Sequence, residues 1–265
     1  TLGIKVRKFE EAFSKYTLLY SAATSSGTSA LHLALQVLGI QENDEVILPT
    51  YTCITVALPV LYQRANPVLV DVFEDCNIYV EEIRKNISEK TKAVIVPHMF
   101  GYPADIQPIK EFCEENGIFL IEDCAQSIGA KYNGRMVGTF GDISIFSFYA
   151  TKMITSIQGG MVCSKNKEWI ENVKELIEPE GDPEDDRIKF RYSMSDINAS
   201  IGIVQLKKLN EFIKRRREIA SIYREELEGH NVILPTEDKN REHVYHRFVI
   251  RTEFNPELII KKIYE

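Results

Sequence analysis

The chain has 265 residues, 44% of them apolar, with 32 Lys+Arg against 39 Asp+Glu for a net charge of −7. That is the profile of an ordinary globular protein, long enough to bury a substantial core without metal or disulfide support. It excludes the basic footprint of a nucleic-acid binder, and no apolar run approaches the roughly 18 residues of a membrane span.

Five cysteines, Cys53, Cys76, Cys113, Cys124 and Cys163, are odd in number and scattered, with no C-x-x-C pair. They read as reduced thiols of a cytoplasmic protein, and no metal site is implied. The chain opens on Thr1 rather than Met, which leaves room for a preceding segment such as a removed leader.

Taken in order, an apolar run at 16–22 is followed by a helix over 29–39. There Leu31, Leu35 and Leu38 recur at helical spacing and Gly39 is the stop signal. A strand over 45–49 precedes a helix over 54–65, in which Pro59 is an awkward member. Residues 66–72 read as a buried strand, 92–101 as another, 105–117 as a helix and 118–123 as a further strand. Two more strands cover 142–148 and 159–164.

This alternation predicts an α/β fold with a mostly parallel central sheet and helices on both faces. Continuous apolar runs suit strands covered on both sides. The acidic, Pro- and Gly-bearing stretch at 178–187 predicts an exposed loop. A long helix is expected over 195–228, with Arg215, Arg216 and Arg217 on a solvated face; 245–251 predicts a strand and 255–265 the start of a helix.

In parallel sheets ligands gather beyond the carboxyl ends of the strands. Three segments carry candidate chemistry there. "SSGTSALHLAL" (25–35) opens a helix with small residues, and free N–H groups at a helix N-terminus favour an anion. An ordinary N-cap is the competing explanation. "IEDCAQS" (121–127) places Asp123 at a strand end, either as a functional carboxylate or as a helix cap with Gln126 completing a capping box. "FSFYATKMITSIQGGMV" (146–162) delivers Lys152 just past a strand end and leaves through Gly159 and Gly160, which suggests a backbone that must turn freely.

A lysine is usually solvated, but a shielded amine can act as a nucleophile toward carbonyls. Anion site, carboxylate and amine together match the needs of pyridoxal phosphate (PLP), an aldehyde cofactor with a phosphate tail and a ring nitrogen.

With these residues in view, the sequence resembles the DegT/DnrJ/StrS family of PLP-dependent sugar aminotransferases, of fold type I in the aspartate aminotransferase superfamily. The matching stretches include "SSGTSALHLAL", "DEVILPTYT", "KAVIVPHMFGYPADI", "IEDCAQSIGA", "GDISIFSFYATK" and "MSDINASIGIVQLKKL", in order along nearly the whole chain.

The resemblance implies that Lys152 is the lysine whose amine condenses with the cofactor aldehyde and later shuttles a proton. It implies that Asp123 partners the pyridine nitrogen and Gln126 the phenolic oxygen. Gly27, Thr28, Ser29 and Ser147 match the phosphate cup, and Ala125 is small where the family packs the ring face. Some members carry histidine at the lysine position and act as dehydratases, so lysine argues for amino transfer.

There are departures. Cys53 stands where an aromatic residue often covers the ring, which leaves Tyr51 as a candidate for that role. Arg191 stands where an asparagine reaches the phosphate of the other subunit's cofactor, and Gln158 where an acid often precedes the glycine pair. The family continues for about another hundred residues, a comparison set against domain-size expectations.

The expected organisation is a large PLP-binding domain over 1–228 and the start of a small C-terminal domain over 229–265. The expected function is transfer of an amino group from glutamate to a nucleotide-linked keto sugar, by a homodimer with shared active sites and with no nucleic-acid or membrane partner. The rivals are another fold-type-I PLP enzyme with a non-sugar substrate and a non-catalytic homologue. His98, Tyr149 and His246 are candidates for the substrate pocket, with structural roles equally open. A nicotinamide-dependent alternative fails, because no G-x-G-x-x-G follows the first strand.

Overall fold

The computed structural model describes residues 3–177, 186–235 and 238–253, with 255, 261 and 262. Most of the loop expected at 178–187 and most of the helix expected at 255–265 lie outside the described residues.

Seven strands form the main sheet: β1 (Tyr20–Thr24), β2 (Glu45–Pro49), β3 (Asn66–Val70), β4 (Thr91–Pro97), β5 (Phe119–Asp123), β8 (Ile143–Ser147) and β9 (Gly160–Ser164). Two short strands, β6 (Lys131–Tyr132) and β7 (Arg135–Met136), make a hairpin extended by β10 (Arg241–Glu242). The order across the main sheet is β1-β9-β8-β5-β4-β2-β3. The block from β3 to β8 is parallel, while β9 runs antiparallel to both its neighbours, β8 and β1.

The central strands are buried, as their unbroken apolar runs predict. The run at 66–72 behaves differently. β3 is the sheet edge, pairs only with β2, and leaves Asn66 and Leu69 exposed. An edge position removes the cover that the same composition would have in the middle.

Helices cover both faces. On one side α2 (Gly27–Val37), α3 (Ala57–Tyr62) and α6 (Lys167–Ile177) bury an aliphatic core that includes Leu31, Leu35, Val60, Val173 and Ile177 against the sheet. On the other, α1 (Ile4–Thr17), α4 (Val80–Asn86), α5 (Ile106–Asn116) and the long α7 (Asp196–Leu227) pack over two further clusters. The Phe9, Phe13 and Phe148 rings meet with centroids 5.1–6.0 Å apart.

α7 starts where its cap predicts: Ser195 Oγ accepts the Asn198 N–H at 3.2 Å. The next residue contributes too: the Asp196 carboxylate accepts the N–H groups of Lys5 and Val6, which closes the first turn of α1. Gly202 lets the two helices approach, because a Cβ there would lie 2.7 Å from the Phe9 ring.

The stretch 245–251 is not a strand. Its only ladder contact among the described residues is an isolated bridge between Ile233 and Arg251. Tyr245 takes a left-handed conformation, φ 50°. The segment is held by side chains instead: Arg216 Nη1 donates to the carbonyls of Tyr245 (3.1 Å) and His246 (3.2 Å), and Arg217 Nε to that of His243 (2.9 Å). The Val244 N–H also reaches the Gly101 carbonyl at 3.0 Å.

Candidate active site

A cavity of about 530 Å³ opens at the carboxyl ends of β5 and β8, beside the start of α2. The α2 end is built by its own sequence. Ser26 is extended, and its Oγ accepts the Ser29 N–H at 3.0 Å. The N–H groups of Gly27 and Thr28 are left without an acceptor among the described residues, and both residues line the cavity.

Gly27 is required by space. A Cβ there would come within 2.9 Å of Ser147 Cβ, so the helix start rests directly on the end of β8. Gly160 has the same role: it is the register partner of both Thr24 and Ser147, and a Cβ on it would meet the Ser26 carbonyl at 2.2 Å. Gly159 would strike Met194 and Ser156. The glycine pair therefore serves close approach and not the turning freedom its sequence suggests; neither has a left-handed φ.

Asp123 ends β5 and is buried. Its Oδ1 accepts the Ala125 N–H at 2.9 Å. Burial pushes its carboxyl above the ordinary carboxylate range, opposed by that hydrogen bond and by the charge of Lys152. No helix follows, and Gln126 is not a capping residue. Gln126 Oε1 accepts the Phe100 N–H at 3.1 Å, which turns its amide nitrogen away from that contact. Ala125 and Gln126 both line the cavity.

Lys152 sits in a turn beyond β8, where its N–H reaches the Tyr149 carbonyl at 2.9 Å, and it faces the same cavity as Asp123. Ser147 and Cys53 line it too.

Two expected residues stand apart. Ser29 is buried below the helix start, its hydroxyl bonded to those of Ser26 (2.7 Å) and Ser25 (3.0 Å), so it does not face the cavity. Arg191 is exposed and outside the lining, although the next carbonyl, of Tyr192, accepts the Ser25 N–H at 2.6 Å.

The substrate-pocket candidates divide. Tyr149 and His246 line the cavity; His98 does not. His98 lies behind it, fully engaged. Its Nδ1 accepts the Ala104 N–H at 3.0 Å, so its proton is on Nε2, which donates to Glu122 Oε2 at 3.1 Å. Glu122 also accepts the N–H groups of Gly138, Phe140 and Gly141, each at 2.7 Å. These donors hold it below the usual carboxylate range against the opposing effect of burial. His98, Glu122 and Cys124 are close enough to share an ion, but both ring nitrogens and the carboxylate are already committed. Phe100 and Arg247 also line the cavity, without any local pattern in the sequence to single them out.

The comparison with known proteins decides the family. The profile of the DegT/DnrJ/EryC1/StrS aminotransferase family matches residues 1–264. The chain belongs to that family. It is 39% identical over 250 residues to the GDP-perosamine synthase of Vibrio cholerae, covering 92% of this chain and 68% of that one. The aminotransferase TlmJ from Streptoalloteichus hindustanus superposes with a TM-score of 0.94 at 30% identity, over 99% of this chain and 75% of the other. A putative sugar aminotransferase from Streptococcus pneumoniae, solved in PLP and PMP forms, superposes with a TM-score of 0.92 at 26% identity, over 100% of this chain and 75–76% of the other.

The protein is thus a PLP-dependent aminotransferase with the fold-type-I architecture. The cavity suits that cofactor. It offers the unpaired N–H groups of Gly27 and Thr28 for a phosphate, a buried carboxylate for a ring nitrogen, and an amine for an aldehyde.

Proposed function

We propose that the protein moves an amino group from glutamate to the ketone of a nucleotide-linked sugar. Support comes from the similarity to GDP-perosamine synthases, whose name specifies a guanosine-diphosphate sugar product, and from the shared cavity of Lys152 and Asp123. That shared cavity carries the reading.

When bound, PLP supplies an aldehyde that takes up the amine and a ring that accepts the electron pair of the adjacent carbon. The remaining roles belong to the chain. Gly27, Thr28 and Ser147 bind the phosphate. Asp123 holds a proton at the ring nitrogen. Gln126, whose Oε1 accepts the Phe100 N–H and whose amide nitrogen reaches Met99 Sδ at 3.8 Å, would give its second amide hydrogen to the phenolic oxygen. Lys152 Nζ removes the proton from the amine-bearing carbon and returns one at the neighbouring atom. Ala125 and Cys53, both in the cavity lining, would pack against the ring.

We further propose a homodimer in which Arg191 of one protomer serves the site of its partner. The exposed apolar side chains of Tyr51, Ile54, Tyr149 and Ile157 on loops adjoining the cavity-lining residues favour such cover. The division into a cofactor domain over 1–228 and a second domain from 229 belongs to the same proposal. No helix among the described residues is long and apolar enough to cross a membrane. All five cysteines are free thiols, which supports a cytoplasmic, reducing location.

The test is direct. Purified holoprotein should be yellow, should form one equivalent of 2-oxoglutarate per site from glutamate alone, and should turn glutamate over repeatedly only with a keto acceptor. Nucleotide-linked keto sugars should outperform simple 2-keto acids. Lys152→Ala should abolish the yellow absorbance and slow transfer by about 10³-fold or more. Transfer at the wild-type rate by that variant would refute the assignment.

A further inference from the structure

Resting on the aminotransferase reading, we propose that Arg247 is the cavity's receptor for a substrate oxyanion, a carboxylate of the amino donor or the diphosphate of the sugar nucleotide, and so sets which substrates the site accepts.

Three observations carry this. First, the lining holds three formally charged side chains: Asp123, Lys152 and Arg247. Asp123 and Lys152 are assigned to the cofactor, and the start of α2 to its phosphate. Arg247 is the positive charge left over, in a site whose expected substrates are all anionic.

Second, its guanidinium has no hydrogen bond or ion pair among the described residues, while its basic neighbours are engaged. Arg216 and Arg217 hold backbone carbonyls, Arg241 pairs with Asp75 at 2.9 Å, and Arg251 with Glu74 at 3.4 Å. An arginine that meets no acceptor among the described residues retains its whole fork of donors for a carboxylate or phosphate.

Third, the backbone that presents it is fixed at both ends. The Arg247 N–H reaches the Phe100 carbonyl at 3.2 Å, the Val244 N–H reaches that of Gly101, and Tyr245 between them is held in the left-handed region. A non-glycine residue persists in that region only where the surroundings enforce it. Here the result is that His246 and Arg247, adjacent in sequence, both line the cavity. His246 is near neutral through burial and the charges around it, its pKa pushed down to about 4, so it does not compete for the anion.

Arg247→Gln and Arg247→Lys holoproteins provide the test. The only bond assigned to Arg247 is made by its backbone, so both variants should keep the yellow absorbance and the melting temperature of the wild type. Glutamate concentration dependence is read from the loss of that absorbance in the absence of acceptor, and GDP binding is read by calorimetry.

The glutamine variant should need at least tenfold more glutamate, or bind GDP at least tenfold more weakly, with the lysine variant between it and the wild type. A shift in glutamate alone assigns the carboxylate, a shift in GDP alone the diphosphate, and both a site used by the two substrates in turn. Wild-type values for both ligands in Arg247→Gln would overturn the proposal. If the wild type itself fails to react with glutamate, it is the proposed glutamate donor that fails.

Discussion

Glu122→Gln tests whether the floor of the site depends on a buried negative charge. Glu122 is fully buried, and its two oxygens accept four hydrogen bonds. Oε1 takes the N–H groups of Phe140 and Gly141; Oε2 takes those of Gly138 and His98. Glutamine can replace only one oxygen. With its carbonyl toward Phe140 and Gly141, its NH₂ faces the N–H of Gly138 and the Nε2–H of His98. His98 cannot relieve this by moving its proton to Nδ1, because Ala104 donates there.

Two charge-assisted bonds are lost and two donors left facing donors. At about 1.5–3 kcal/mol each, the loss should be about 3–6 kcal/mol. That is a large part of the 5–15 kcal/mol typical of a domain. Urea unfolding of the holoproteins at pH 7 measures it.

The pH dependence gives a second check. The folded carboxyl lies below its unfolded value, so its contribution is present above the unfolded pKa and lost as pH falls through the folded one. The gap between wild type and variant should therefore narrow in acid. A loss under about 1 kcal/mol at pH 7, or a gap that does not depend on pH, would refute the argument.

Asp123→Asn should act in opposite directions on stability and activity. The folded Asp123 carboxyl is raised by burial, so its contribution favours folding below the unfolded pKa and is lost as pH rises through the folded one. Cofactor-free Asp123→Asn should accordingly melt above the wild type at pH 7 by scanning calorimetry, while its transfer rate with cofactor falls by about 10²-fold or more. Gly160→Ala places a methyl 2.2 Å from the Ser26 carbonyl. Backbone must move, so a stability loss of about 1–3 kcal/mol is expected in urea unfolding, together with weaker cofactor retention on dialysis.

Much of this molecule is legible in its sequence, for local reasons. The runs at 45–49, 118–123 and 142–148 are strands because each is short, apolar and bounded by turn residues. The 105–117 helix stops at Gly117, whose φ of 64° suits glycine. The elements not anticipated are α1, α4, α6 and the short strands β6, β7 and β10, and α6 is the readable one: Ile170, Val173, Leu176 and Ile177 recur at helical spacing and are buried.

The strand expected at 245–251 failed because alternation there reflects attachment to Phe100, Gly101 and two α7 arginines, not a ladder. Arg247 escaped for the same reason, since nothing within ten residues of it records those long-range bonds. Ser29 was misplaced because a serine at a helix start can serve the cap or the ligand, and only the geometry distinguishes the two.

The sheet order explains why three distant segments meet at one edge. β5 and β8 are parallel and end together, at Asp123 and Ser147. β9 is antiparallel to β8, so it begins at that edge with Gly160. β1 is antiparallel to β9 in turn, so it runs in the direction of β8 and ends at the same edge with Thr24. A chain leaving β1 must start its next helix there, and α2 does, three residues later at Gly27. One reversed strand thus brings a helix N-terminus beside the ends of two parallel strands, with a glycine at each contact where a side chain would hold them apart. A helix N-terminus and two parallel strand ends within one cavity follow from that arrangement before any side chain is chosen, and Asp123 and Lys152 then supply its carboxylate and its amine.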